Sequence, residues 1–198
     1  MPDPQNARDK VLSEEDWNEL YRAAKPHLKP VLLLAYQLGQ RLSEIITLTW
    51  DRVDLKRGFI TLRSQDTKTK KPRQVPMTPD VRATLQQIAK VRSLTARRVF
   101  LYQGKPLRDF RTAFRTALRE AGISGFRFHD LRHCAATNLR RAGVDTTTAM
   151  QIVGHTSPQM WKRYNHIREE DLTKAASKLG KYLQANTPVT LDGQAEGV

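Results

Sequence analysis

Five side chains able to grip an anion or move a proton crowd into the stretch Phe126 to His166: His129, Arg132, His133, His155 and Tyr164. Imidazole trades protons near neutral pH, a guanidinium fork holds phosphate through paired charge-assisted hydrogen bonds, and a phenol can act as nucleophile. On a helix, His129 and Arg132 stand three apart and share a face, so one can handle a proton while the other holds an anion. The chemistry these types suggest is attack on a gripped anion. Two other readings use the same residues. His129 and His133 have the i, i+4 spacing of H-E-x-x-H zinc sites, but Asp130 stands where the glutamate belongs and no third ligand is obvious. Cys134 is the single cysteine, which rules out a disulfide framework or a thiolate-rich site. No metal and no other cofactor is expected, and His133 and Cys134 are expected to pack. Alternatively, Thr146 to Val153 and Ser157 to Tyr164, joined at Gly154-His155, form a helix-turn-helix with Lys162 and Arg163 near DNA. That reading explains charge but gives His129, Arg132 and the distant Arg41 no task.

The elements that must position these groups are mostly helices. Ser13 followed by Glu14, Glu15 and Asp16 caps a helix that runs to about Ala24, where Pro26 and Pro30 break the pattern. From Pro30 to Gly39 the run V-L-L-L-A-Y-Q-L is apolar almost all round and belongs in the core. Gly39 ends it, and a new helix starts near Ser43 and runs through Leu48. Arg41 therefore sits at a junction of two buried helices, either as a packing device or as a preorganised charge. From Trp50 the period shortens: Val53 to Leu55, Phe59 to Arg63 and Arg73 to Met77 read as a small antiparallel sheet. Its second hairpin carries Lys68, Lys70 and Lys71 at the tip, where a solvated loop is the ordinary reading.

Thr78-Pro79-Asp80 caps a helix to about Val91, and R-S-L-T-A-R-R follows as a basic connector. Val99 to Tyr102 reads as extended before a turn at Gly104. Leu107 to Ala121 is an amphipathic helix with Leu107, Phe110, Phe114, Ala117 and Leu118 on one face and Arg108, Arg111, Arg115 and Arg119 on another. Those arginines suit a phosphate rail or a merely solvated face. Helices are expected over His129 to Ala142, Thr146 to Val153 and from Ser157 through Tyr164. A last one runs to about Leu183 with Leu172, Ala175, Ala176, Leu179 and Leu183 as its apolar stripe. The fold class expected is α+β, mainly α-helical, with a three-stranded antiparallel sheet on one side. Residues 1–10 are expected to be a disordered leader, 11–185 one domain, and 186–198 a flexible tail.

With 198 residues the chain is long enough for one well-buried core, and its formal net charge of +14 favours a polyanionic partner. No apolar run is long enough to span a membrane, and the N-terminus lacks a secretory signal's apolar core. A cytoplasmic or nucleoid setting is expected.

Six positions in order then carry a resemblance. Arg41 within L-G-Q-R-L-S-E, hairpin Lys68, His129 and Arg132 within H-D-L-R, His155 within G-H, and Tyr164 nine residues later resemble the catalytic signature of the tyrosine recombinase (phage integrase) family. K-T-K-K-P-R-Q-V-P is similar to that family's hairpin ending in a V-P pair. Two positions depart from the commoner pattern: Leu38 stands where threonine is usual, and Met160-Trp161 replaces a frequent Thr-Thr. The N-terminal core-binding domain with which most members clasp DNA is expected to be absent.

The resemblance implies a site-specific DNA recombinase that cleaves and rejoins double-stranded DNA through a 3′-phosphotyrosyl link, without metal or ATP. It implies Tyr164 as nucleophile, Arg41 and Arg132 as clamps on the non-bridging oxygens and His155 as a further donor to them. Lys68 is implied as general acid, and His129 as proton acceptor or orienter. Glu44 would buttress Arg41, and Asp130 would be structural support. Lys70, Lys71 and the arginines from Arg108 to Arg119 would contact DNA. Other protomers would join in a tetramer on paired sites, with the C-terminal helix available for exchange among them. A DNA-binding regulator of the same fold that has lost catalysis is the alternative.

Overall fold

The computed structural model describes residues 10–66, 72–93, 95–108, 110–155, 161 and 169–186. These residues group into two units, one up to Tyr164 and one from Asn165 onward.

The first unit begins with helix α1 (Glu14–Ala23). The Ser13 hydroxyl accepts the Asp16 N–H at 3.0 Å, and three acidic residues in the first turn complement the helix dipole. Trp17 on this helix stacks on Tyr36 of α2 (Lys29–Leu38), ring centroids 3.8 Å apart. Helix α2 is the centre of the core, with Val31, Leu32, Leu34 and Ala35 essentially inaccessible to water. It packs against α3 (Leu42–Ile46), α4 (Pro79–Val91) and above all α6 (Asp130–Arg141). Burying so many leucines on one short helix drives this part of the fold, at about 1.5–3 kcal/mol per fully buried side chain.

Strands β1 (Val53–Asp54), β2 (Phe59–Leu62) and β3 (Arg73–Pro76) form an antiparallel sheet in that order. Its register pairs Ile60 with Val75 and Leu62 with Arg73. The alternation sends Ile60, Leu62 and Val75 inward, and Arg73 goes inward with them. A two-stranded hairpin, β4 (Leu101–Tyr102) and β5 (Lys105–Pro106), follows.

Helix α5 (Arg111–Glu120) begins later than the hydrophobic pattern suggests. Leu107 is instead held in an extended connection, its N–H donating to the Phe100 carbonyl at 3.1 Å. Helix α6 packs on α7 (Thr146–Val153), which in turn meets β3. The second unit contains α8 (Glu169–Asn186), whose Leu172, Leu179 and Leu183 are exposed.

Candidate active site

Each of four elements brings one piece of the site, and the C-terminus of α7 is where they meet. The last carbonyls of any α-helix lack intrahelical donors and carry partial negative charge. Here guanidinium groups supply the donors. Arg132, on the first turn of α6, donates from Nη1 to the carbonyls of Gly39 (2.7 Å) and Val153, and from Nη2 to that of Gly154 (3.1 Å). Arg41, the residue before α3, donates from Nη2 to the same Gly154 carbonyl at 3.4 Å. Arg73, on β3, reaches the Val153 carbonyl at 3.5 Å. Three cations are thus gathered around one helix end.

Glu44 supplies the compensating charge. It is 2% exposed and accepts from the Arg41 backbone N–H at 2.9 Å, from Arg41 Nη1 at 3.1 Å and from Arg73 Nη2 at 2.8 Å. The first of these bonds also caps α3. Buried Gln40 completes the cage: its side-chain oxygen accepts from Arg73 at 2.8 Å, while its NH2 donates to the carbonyls of Leu38 and Ile152. Three arginines against one glutamate leave a positive site, which suits an anion.

Two glycines make the approach possible. Gly39 closes α2 in the left-handed region (φ 65°), and a Cβ there would lie 3.2 Å from side chains of Ala135 and Val153. Gly154 closes α7 in the same conformation (φ 80°), and a Cβ on it would fall 2.6 Å from Cζ of Arg73. The Arg73 guanidinium therefore lies directly against the bare Cα of Gly154.

His155 follows this cap, its N–H donating to the Met150 carbonyl at 2.9 Å. Its ring meets buried Trp161 edge to face, centroids 5.9 Å apart. Burial and then the charges of Arg132 and Arg41, with His133 and His129 adding to them, pull its pKa down to about 3. The ring is therefore neutral at physiological pH. His129 precedes α6 at the surface, yet enough protein surrounds its imidazole that desolvation, then His133 and Arg132, lowers its pKa too. Its ring stands edge-on to that of His133 at 5.6 Å. Asp130 is buried and accepts the Arg127 N–H at 2.7 Å, fastening the turn ahead of α6. Cys134 is fully buried, its thiol pushed up to about 11 chiefly by desolvation.

Of the residues singled out in the sequence, Arg41, Glu44, Arg132 and His155 converge, with His129 and Asp130 at the start of α6. Lys68, Lys70, Lys71 and Tyr164 lie outside the described residues. Arg108, Arg111, Arg115 and Arg119 are exposed, Arg108 ahead of α5 and the others on it, and α5 packs chiefly on α1. Among the described residues no cluster of three His, Cys, Asp or Glu could hold a metal ion, and no helix is long and apolar enough to cross a membrane. Helix α7 is built into the core through Ala149 and Val153. The sequence reading missed Arg73 and Gln40. The signal for Arg73 was faint but present: it holds an inward position in a strand where Val75 is also inward.

Comparison with known proteins agrees with this architecture. Residues 10–171 match the model of the phage integrase family, so the chain belongs to that family. It is 29% identical over 203 residues to the integrase of Salmonella phage P22, an alignment covering 95% of this chain and 51% of that protein. It is 35% identical over 148 residues to the tyrosine recombinase XerC of Chlamydia caviae, covering 69% of this chain and 46% of the relative. The chain thus spans about half the length of the curated relatives it matches. Its fold superimposes on the catalytic domain of bacteriophage HP1 integrase with a TM-score of 0.65 and 27% identity, over 84% of this chain and 93% of that one. The fold is that of a tyrosine recombinase catalytic domain, mainly helical with a small antiparallel sheet.

Proposed function

We propose that this chain is the catalytic part of a site-specific DNA recombinase that breaks and rejoins double-stranded DNA through Tyr164. The observation that carries this reading is the convergence of Arg41 and Arg132 on one carbonyl beside His155, in a site with excess positive charge.

The hydroxyl of Tyr164 attacks the scissile phosphorus, forming a P–O bond to protein as the P–O5′ bond breaks. His129, kept neutral near physiological pH, takes the phenolic proton. Lys68 protonates the departing 5′ oxygen. Arg41 and Arg132 hold the non-bridging oxygens and offset the charge that builds on them, and neutral His155 donates a further hydrogen bond. Attack by a 5′-hydroxyl on a phosphotyrosyl link then restores the phosphodiester and the tyrosine. The bond energy is conserved throughout, so neither ATP nor metal is required. Glu44 holds Arg41 in place, and Asp130 holds the start of α6. Lys70, Lys71, Arg108, Arg111, Arg115 and Arg119 contact DNA phosphates. Protomers assemble as tetramers on paired DNA sites, with α8 available for exchange, in a cytoplasmic or nucleoid setting.

The test is a nicked suicide substrate carrying candidate sites from the ends of a mobile element, run in excess EDTA. Wild-type protein should form a covalent adduct, and Tyr164→Phe should bind without forming one. An adduct with the variant would overturn the nucleophile. Binding without any adduct from the wild type would leave a catalytically silent DNA-binding module.

A further inference from the structure

Three residues before the proposed nucleophile the chain carries an indole, Trp161, to which the reaction gives no task. Trp161 is 2% exposed and forms, with Ala136 and Ala149, a small apolar cluster apart from the main core. Leu139, Val144 and Met150 pack against that cluster. Both alanines are inaccessible to water, and their single methyl groups leave the room that the indole fills.

The pocket is built from the same two helices as the site. Ala136 lies one helical turn beyond Arg132 on α6, and Ala149 lies one turn before Val153 on α7, whose carbonyl accepts from Arg132. The turn joining these helices is tied down. The Val144 N–H donates to the Leu139 carbonyl at 3.1 Å, and the Asp145 carboxylate accepts the Thr148 N–H at 2.9 Å. The indole also meets the His155 ring edge to face, centroids 5.9 Å apart. One side chain thus touches both the helices that hold Arg132 and the imidazole beside it.

Fixing an indole fixes the chain next to it. Three residues of fully extended backbone span at most about 10–11 Å, so a seated Trp161 keeps the Cα of Tyr164 within that distance of its own. Burying an indole removes far more apolar surface from water than a threonine there would, and the grip is correspondingly firmer.

We infer that Trp161 is a positioning residue: seated between α6 and α7, it holds the tyrosine-bearing segment and the His155 ring in a fixed relation to Arg132. It supplies neither proton nor charge, and acts through Tyr164 and His155. The inference rests on the recombinase reading for the role of Tyr164, but the seat itself is testable without it.

The experiment measures single-turnover adduct formation on the nicked suicide substrate at saturating DNA, beside equilibrium DNA binding, for Trp161→Ala, Trp161→Phe and Leu85→Ala. Leu85 is buried on α4, outside the site, and controls for lost stability. Each variant is assayed under conditions where urea titration shows it folded. Trp161→Ala should slow the adduct step by about tenfold or more, since a misplacement of about an ångström at a reacting group costs up to roughly a hundredfold. Its affinity for DNA should stay at the wild-type value. Trp161→Phe, which keeps an aromatic plug, should recover most of the rate, and Leu85→Ala should not lower it. A wild-type rate in Trp161→Ala, a loss confined to affinity, or equal slowing in Leu85→Ala would overturn the positioning role. Should Trp161→Ala fail to fold, Trp161→Leu carries the same comparison. A wild type that forms no adduct removes the recombinase reading instead, and the seat is then read from the His155 imidazole resonance. Its titration, lowered to about 3 chiefly by burial, should move up in Trp161→Leu as the pocket opens to water. An unmoved titration in that variant would overturn the seat.

Discussion

Arg41 and Arg132, from distant parts of the chain, donate to one and the same acceptor, the carbonyl oxygen of Gly154, at 3.4 and 3.1 Å. Two guanidinium groups normally repel, and the end of α7 supplies the partial negative charge that holds them together. Their spacing is therefore a property of the backbone at Gly154 as much as of the arginines.

If that pair clamps phosphate, Arg41→Ala should slow single-turnover adduct formation by about a hundredfold or more. Arg41→Lys should recover little, because a point charge cannot reproduce the planar fork that serves Glu44 and Gly154 together. Quench-flow rates on the suicide substrate check both.

Arg73→Met should destabilise the fold by up to about 3–5 kcal/mol, since it leaves buried Glu44 with Arg41 as its remaining ion-pair partner. Adding Glu44→Leu should recover part of that loss, because the uncompensated charge is then gone. Urea denaturation of the two single variants and the double variant gives the coupling directly.

Gly154→Ala should cost about 1–2 kcal/mol from the left-handed backbone alone. The new methyl group also displaces the Arg73 guanidinium, which would lie 2.6 Å from it. Thermal melts should show the lower stability. Adduct formation should slow beyond what the remaining folded fraction accounts for, because the acceptor shared by Arg41 and Arg132 moves.

His155 has an ordinary value of 6.5 when unfolded and about 3 in the fold. Between those limits the unfolded chain binds the extra proton, so this residue makes stability fall as pH drops from about 6.5 toward 3 and contributes nothing above. His129 and His27 are also lowered and act in the same direction. The measurement is thus a difference: urea midpoints of His155→Asn should depend less steeply on acid pH than those of the wild type.

Much of this arrangement is legible in sequence because it is local. Gly39 announces a helix end, so the connection leading to Arg41 can be placed; the alternation Arg73-Gln74-Val75 marks a strand; Thr146 to Val153 keeps its bounds in the structure. The start of α5 is misplaced because Leu107 has the right period but is claimed by a hydrogen bond to Phe100, a partner that periodicity does not reveal. Arg73 is hidden for a related reason. It opens a strand after a lysine-rich turn, and its burial depends on Glu44, Gln40 and the end of α7, none of them neighbours in sequence.

The Gly154 carbonyl has one more implication, for selectivity. Because it already accepts from both arginines, an incoming phosphate oxygen meets donors that have a working neutral partner, and binding becomes an exchange of acceptors rather than capture by bare cations. A lone inorganic anion has only its own charge to drive that exchange. If the proposed DNA substrate is right, a phosphodiester within a long strand brings the leverage of every neighbouring linkage, so abundant small phosphates would make poor competitors for that seat.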